Sequence, residues 1–259
     1  MRDLVARASA EREAVNPWNV REVTLATGHT AAVQLEQWET ALSLNREVLE
    51  ITQDRGAPPL EIARTKFNDY GPLLRLNRVS EARQLLDECR STFERAGATR
   101  DLGNVFNALA DLEDKVGNTG QSVHHERTAL RYKYIAGDPE SCAISHFNLA
   151  NCLIGTSDPP EAALAHRLAA VLIRLQTSSG RFPQSIAALA LHLAMLAPSP
   201  PLPRDFDHLC EIVEQVEGVY FRKLFDSLPK ANASTGDEAL QQVLLKAKDP
   251  DLHRSTSMS

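Results

Sequence analysis

The feature that most constrains the fold of this 259-residue chain is an internal repeat with a period of 40 to 43 residues. Each copy contains a small residue, a second small or apolar residue seven positions later, and a glycine that closes the copy. Because the three kinds of marker keep nearly one spacing, a single supersecondary unit recurs along the chain. The markers are Ala41, Ala82, Ser122 and Ala162, then Val48, Cys89, Ala129 and Ala169, and finally Gly56, Gly97, Gly137 and Gly180.

The pattern within each copy predicts a helix, a short turn and a second helix. Glycine tolerates the positive φ that commonly ends a helix. Pro59, Pro139 and Pro160 stand where following helices should begin, and a missing N–H costs nothing there. No stretch alternates polar and apolar residues with a period of two, so no strand is predicted. We therefore predict an all-α chain with four hairpins, at about 20–57, 58–98, 99–138 and 139–180.

The repeat resembles that of the tetratricopeptide repeat (TPR) family. The segment Asn148-Leu149-Ala150-Asn151 is similar to the N-L-G-N segment of the first TPR helix, and Ala162 then falls on the small residue of the second helix. Asn68 with Ala82 fits the same register. The resemblance covers roughly residues 20–180 and implies a right-handed superhelix, an alpha-solenoid, whose first helices line a concave face. The period exceeds the family's usual length of about 34 residues, which predicts longer helices.

The regions outside the repeats are predicted to be helical caps. Residues 1–19 form an amphipathic pattern, for which two interpretations are open. The pattern is one half of a truncated repeat, which would make the chain a fragment of a longer one, or it is an unusual cap. Residues 181–250 are predicted to hold a helix that is apolar nearly all round, and therefore buried, followed by an irregular C-terminal cap. A proline-rich break at 197–204 separates the two, and 251–259 is predicted to be a flexible tail. The cap helices are expected near 205–217, 219–228 and 236–248.

The composition excludes several classes of partner and location. A net charge of −6 without a dense Lys/Arg run argues against nucleic acid and anionic membranes. The chain has no apolar run of about 18 residues, and its start lacks the apolar core of a signal peptide. Its four cysteines show no C-x-x-C spacing and fit buried positions in a reducing compartment. A cytoplasmic protein is the expectation.

No motif in the sequence points to catalysis. The P-loop, dinucleotide-binding, nucleophile-elbow and H-E-x-x-H patterns do not occur. Cys142 and His146 are four residues apart and share a helix face, but a zinc site would need two further ligands. The prediction is a protein that is not an enzyme and binds neither a cofactor nor a metal.

The candidate binding residues are asparagines at equivalent positions of successive first helices. Asn68, Asn107 and Asn148 each follow a phenylalanine, and their amides can pair with the N–H and C=O groups of an extended peptide. Some TPR proteins use this position in that way, and the resemblance implies the same here. The alternative is that each asparagine bonds its own scaffold. Further candidates for the groove are Arg64, Asn104, Asn151 and His146.

These residues predict a non-catalytic interaction scaffold that binds an extended peptide or a helix of a partner protein in its concave groove. TPR proteins that clamp a terminal carboxylate use Lys and Arg on consecutive first helices. Arg64 and Lys66 lie on one such helix, but the segment 141–151 has neither residue, which argues against a clamp. The alternatives are a sensor or regulatory arm of a larger bacterial signalling or defence protein, linked to an NTPase or a protease, and a receptor for a peptide signal.

Overall fold

Helices account for all regular structure in the described part of the chain, which confirms the all-α class. None of these helices is both long enough and apolar enough to traverse a bilayer. The predicted N-terminal helix at 1–19 and the predicted tail at 251–259 lie outside the described residues. The computed structural model describes residues 20–154, 156–196, 202–203, 205–228 and 234–246.

The described residues form thirteen helices in two compact units. Unit 1 is Met1–Val116 and unit 2 is Gly117–Ser259, so the division falls inside the third predicted repeat. Unit 1 contains α1 (Val20–Gln34), α2 (Trp38–Asp54), α3 (Pro59–Phe67), α4 (Tyr70–Arg75), α5 (Val79–Ala96) and α6 (Thr99–Lys115). Unit 2 contains α7 (Thr119–Ala136), α8 (Pro139–Leu153), α9 (Pro160–Gln176), α10 (Phe182–Met195), α11 (Phe206–Glu217), α12 (Val219–Ser227) and α13 (Ser234–Lys246).

The repeat markers occupy core positions of the second helices. Ala41, Ala82 and Ser122 are fully buried, whereas Ala162 is only half-buried. The second set of markers, seven residues further on, is buried in all four copies. Small side chains at these positions allow neighbouring helices to pack closely, which explains why the sequence restricts residue size there.

The second helix of each repeat ends in the same backbone motif. The residue with a left-handed conformation is Gly56, Gly97, Gly137 and then Ser178, at intervals of 41, 40 and 41. The following N–H bonds to a carbonyl five residues earlier, as in a Schellman motif. The fourth closing residue is therefore Ser178, and the prediction of Gly180 was wrong. The bonds run from Ala57 to Thr52 (3.1 Å), Ala98 to Phe93 (3.0 Å), Asp138 to Lys133 (3.4 Å) and Ser179 to Arg174 (3.0 Å).

A break interrupts the first helix of the second repeat, between α3 and α4. Pro72 has no N–H to donate to the carbonyl of Asn68, and its ring crowds that carbonyl. Asn68 consequently lies in the turn after α3, and not inside one continuous helix as predicted. The buried Asn45 of α2 bridges the break, because its Nδ2 donates to the Thr65 carbonyl (2.8 Å) and to Asp69 Oδ1 (2.9 Å).

Unit 2 is built around α9, in which every residue from Ala163 to Leu175 is buried. Helices α8, α10 and α11 pack directly against it, while α7 packs on α8 and α13 packs on α10. Three polar side chains lie inside this otherwise apolar helix. They are His166, Arg167 and Arg174.

Helix α10 is buried on one face only, which corrects the prediction of a helix buried all round. Ser185, Leu189 and His192 face the core, whereas Leu191 and Met195 are 66% and 62% exposed. The reason is that α10 packs against α9 and α13, and these contacts leave its remaining surface uncovered by the described residues. The three cap helices expected near the C-terminus are present as α11, α12 and α13.

Candidate functional site

A cleft in unit 1 lies between α2 and α5, with the break between α3 and α4 at its base. Its volume is about 460 Å³. Because the two walls come from second helices of successive repeats, the cleft follows from the way the hairpins stack within this unit. The lining residues are Glu39, Leu42, Ser43, Arg46, Leu49, Lys66, Asp69, Leu73, Arg78, Glu81, Gln84, Leu85 and Glu88.

The apolar part of the cleft is formed by leucines. Leu42 and Leu49 are seven residues apart and therefore project from the same face of α2. Leu42 and Leu73 are buried, while Leu49 and Leu85 remain half-buried and in contact with solvent. Covering apolar surface of this kind contributes about 25 cal/mol for each Å² removed from water.

The charged side chains of the cleft are largely paired with one another. Arg78 contacts Glu81 at 2.6 Å and Glu39 at 3.8 Å, and Lys66 contacts Glu88 at 3.2 Å. Such exposed pairs are each worth about 0–1 kcal/mol, so a partner can displace them at little cost. Arg46 is exposed and forms no side-chain hydrogen bond or ion pair with the described residues.

Asp69 is the polar group at the base of the cleft. Burial raises the pKa of its carboxyl group to about 6, although the hydrogen bond from Asn45 and the charges of Arg46 and Arg78 oppose the shift. Within the described part of the chain, Asn45 is the one group that hydrogen-bonds this carboxyl. Hydrogen bonds are electrostatically stronger in such partly dry surroundings, so Asp69 is a strong acceptor for a donor entering the cleft.

Four predicted binding residues of unit 1 lie on α3, in the turn after it and on α6. Arg64 of α3 donates to Asp101 of α6 with both Nε (3.1 Å) and Nη2 (2.7 Å), which joins the two helices. Asn68 and Asn104 are exposed and lie one turn beyond Arg64 and Asp101 respectively. Neither carboxamide hydrogen-bonds another described residue, and Asn107 is half-buried one turn further along α6. We name this surface the amide face: Arg64, Asn68, Asn104 and Asn107.

In unit 2 the predicted residues have different surroundings. Asn148 is half-buried, whereas Asn151 accepts a hydrogen bond from Arg167 and so supports its own scaffold. The Arg167 guanidinium also lies 4.6 Å from the centroid of the Phe147 ring. His146 is fully buried, which corrects the expectation that it contacts a partner in a groove.

His146 instead belongs to a chain of four polar residues, which we name the histidine chain: His146 and His166 are buried, and Tyr134 and Glu217 are half-buried. The Tyr134 hydroxyl lies 2.6 Å from His146 Nε2, and His146 Nδ1 lies 2.9 Å from His166 Nδ1. His166 Nε2 then lies 3.5 Å from Glu217 Oε1. The chain therefore links α7, α8, α9 and α11 through side chains alone.

Burial determines the charge states along the histidine chain. It lowers the pKa of His146 well below its ordinary value and that of His166 to about 3, so both imidazoles are neutral. It raises the pKa of the Tyr134 hydroxyl and brings that of Glu217 to about 7. With the tyrosine protonated, one consistent arrangement has Tyr134 donating to His146, His146 to His166 and His166 to Glu217.

Sequence reasoning missed both the cleft and the histidine chain. The cleft depends on side chains from four helices, and its leucines look like ordinary core residues. One signal for the histidine chain was present: His166 and Arg167 interrupt the apolar run of α9. Glu217 gave no signal, because its helix lies outside the repeats.

Comparisons with known proteins show a shared fold but do not assign the chain to a family. No protein-family model matches the chain, and no curated protein matches it. Among solved structures, the chain is similar to the crystal structure of BtubC (BKLC) from P. vanneervenii, with a TM-score of 0.61 and 16% identity. The match covers 90% of this chain and 96% of that one. At this identity the likeness establishes a common helical fold and nothing further.

Proposed function

We propose that the chain is a non-catalytic protein-interaction module, a solenoid of TPR-like hairpins, and that unit 1 binds a short peptide segment of a partner protein in the cleft. One observation carries this proposal: the cleft combines partly solvated leucines, paired surface charges and one shielded acceptor. Its volume of about 460 Å³ lies in the range of about 300–1,000 Å³ that is typical of ligand-binding clefts.

The chemistry of the cleft defines the kind of peptide that fits it. A large apolar side chain would cover Leu49 and Leu85, and full burial of such a side chain contributes about 1.5–3 kcal/mol. A backbone N–H group or a lysine beside that anchor would donate to Asp69. Apolar burial supplies affinity, and the hydrogen bond to a partly shielded carboxylate supplies orientation.

The amide face is a second surface on which a peptide could lie, as the sequence analysis predicts. It offers the hydrogen-bonding groups of Asn68 and Asn104, but its four residues are all polar. Because apolar burial drives most peptide binding, we place the main site in the cleft. The two surfaces are formed by different helices, so they can be tested separately.

The proposal is tested by selecting a displayed peptide library on the full chain and measuring the affinity of the selected peptides by calorimetry. Leu49→Lys and Leu85→Lys place a charge on the leucines of the cleft, and each should weaken binding at least 10-fold. Leu35→Lys is the matched control, because Leu35 is a 68% exposed leucine of unit 1 that does not line the cleft.

Three outcomes would contradict this assignment. Equal loss of affinity in Leu35→Lys would show a general charge effect. Loss in an Asn68→Ala/Asn104→Ala double variant, with the two cleft variants unaffected, would place the site on the amide face. Failure to select any peptide that binds the folded chain would overturn the proposed function.

A further inference from the structure

We propose that unit 2 contains a binding site for one divalent metal ion of the zinc class, with His146, His166 and Glu217 as its protein ligands. This inference is independent of the cleft and of the proposed function. The three residues are brought together from α8, α9 and the end of α11, where both histidines are buried and Glu217 is half-buried.

The donor atoms already lie close to a coordinating arrangement. One donor atom from each of the three residues lies within 4.8 Å of the others. His146 Nδ1 and His166 Nδ1 are 2.9 Å apart. Zinc–nitrogen bonds of about 2.0–2.1 Å in tetrahedral geometry place two nitrogens about 3.3 Å apart. The two rings therefore need to part by about 0.4 Å for zinc to replace the proton between them. Glu217 Oε1 now lies 3.5 Å from His166 Nε2, so the carboxylate must turn toward the Nδ1 side of that ring to become the third ligand.

The charge balance of the cluster also favours a cation. The Glu217 side chain is 16% exposed, and its carboxylate faces His166 Nε2 at 3.5 Å. Arg127 and Arg131 act on Glu217 only through longer-range attraction. A buried carboxylate without a full counter-charge is costly, and a bound divalent ion would supply the missing positive charge.

A supporting contact for the metal-bound state is present at Tyr134. Once His146 binds a metal through Nδ1, its Nε2 carries the proton and donates to the Tyr134 oxygen, which lies 2.6 Å away. Ligating histidines usually make such a contact with the other ring nitrogen, and its loss typically weakens metal affinity by about 10–100-fold. Tyr134 is thus assigned as a residue that positions His146.

The experiment uses the full chain after treatment with a chelator. Zn²⁺ is titrated by calorimetry, and Co²⁺ is titrated with its visible absorption as a report on coordination geometry. We expect one ion per chain. His166→Gln and Glu217→Gln should each weaken zinc binding at least 100-fold, and Tyr134→Phe about 10-fold. His124→Gln, which changes an exposed histidine of the same unit, should leave the affinity unchanged.

Circular dichroism and the melting temperature without metal show whether each variant is folded. If one of the ligand variants does not fold, His146→Gln takes its place in the titration. The melting temperature of the wild type should rise with added Zn²⁺, and that of folded His166→Gln should not. The proposal is overturned if the wild-type chain takes up no stoichiometric Zn²⁺, or if uptake persists in folded His166→Gln and Glu217→Gln, since the ion would then occupy other groups.

Discussion

The substitution Asp69→Asn tests the electrostatics of the cleft. The asparagine keeps an oxygen that can accept the hydrogen bond from Asn45, but it removes the partly buried charge. Because burial raises the pKa of Asp69, the folded chain holds this proton more tightly than the unfolded chain does. The free energy of unfolding of the wild type therefore falls as the pH rises from about 4 to about 6. The variant lacks this contribution.

The magnitude follows from the two pKa values. A carboxyl group with a pKa of about 6 in the folded chain and 3.8 as its ordinary value corresponds to about 3 kcal/mol if no solvent screens it. Because water reaches part of the Asp69 side chain, we expect about 1–2 kcal/mol. Asp69→Asn should be more stable than the wild type by this amount at pH 7.5 and nearly equal to it at pH 4.

The difference in stability is measured by urea unfolding of both proteins at several pH values between 4 and 7.5. Circular dichroism and tryptophan fluorescence monitor the transition. Asp87→Asn on the exposed surface of α5 shows how much of any change comes from the loss of a surface charge. A difference between Asp69→Asn and the wild type that stays constant with pH would refute the reasoning. A variant that is less stable at pH 7.5 would refute it as well.

Two further substitutions test the helix break and the repeated helix end. Asn45→Ala should lower the free energy of unfolding by about 2–3 kcal/mol, because the Asp69 carboxylate loses its one donor among the described residues and the Thr65 carbonyl keeps only the N–H of Asn68. Urea unfolding measures this change, and a loss below the error of the method would contradict the bridging role. Ser178→Gly should raise the free energy of unfolding by about 0.5–1 kcal/mol, since Ser178 is exposed and has a φ of 50°. Thermal unfolding measures this gain. The control Ser157→Gly changes an exposed serine whose φ is not positive, and it should give no such gain.

The repeat and the helices within it could be predicted because they depend on local spacing. Ala41 and Ala82 mark helix crossings, and a glycine in the left-handed conformation is visible in the sequence at Gly56 and Gly97. Where the same backbone position holds Ser178, only the structure shows it. The superhelical arrangement implied by the TPR resemblance stays a prediction.

The helix break shows how a local signal can be overlooked. Gly71 and Pro72 stand four and five residues after Phe67, and a proline at position 72 removes the bond to the carbonyl of Asn68. The compensating role of Asn45 could not be predicted, because it depends on which face of α2 meets the broken helix. That orientation is decided by tertiary packing.

The environment of His146 likewise depends on residues far apart in sequence. Its helix pattern allowed either a groove or an interior position, and burial against α7 and α9 decided between them. Glu217 lies 71 residues beyond His146, as their numbers in the sequence show. Helix α10 illustrates the opposite error, since its apolar composition predicted burial on all sides, but too few helices pack around it.

The location of the bound peptide is the most direct test of the proposed function. A selected peptide carrying a benzophenone in place of its apolar anchor is irradiated with the full chain, and mass spectrometry identifies the cross-linked residues. The cleft predicts cross-links at Leu42, Leu49 and Leu85. Cross-links confined to Asn68 and Asn104, or to unit 2, would contradict it.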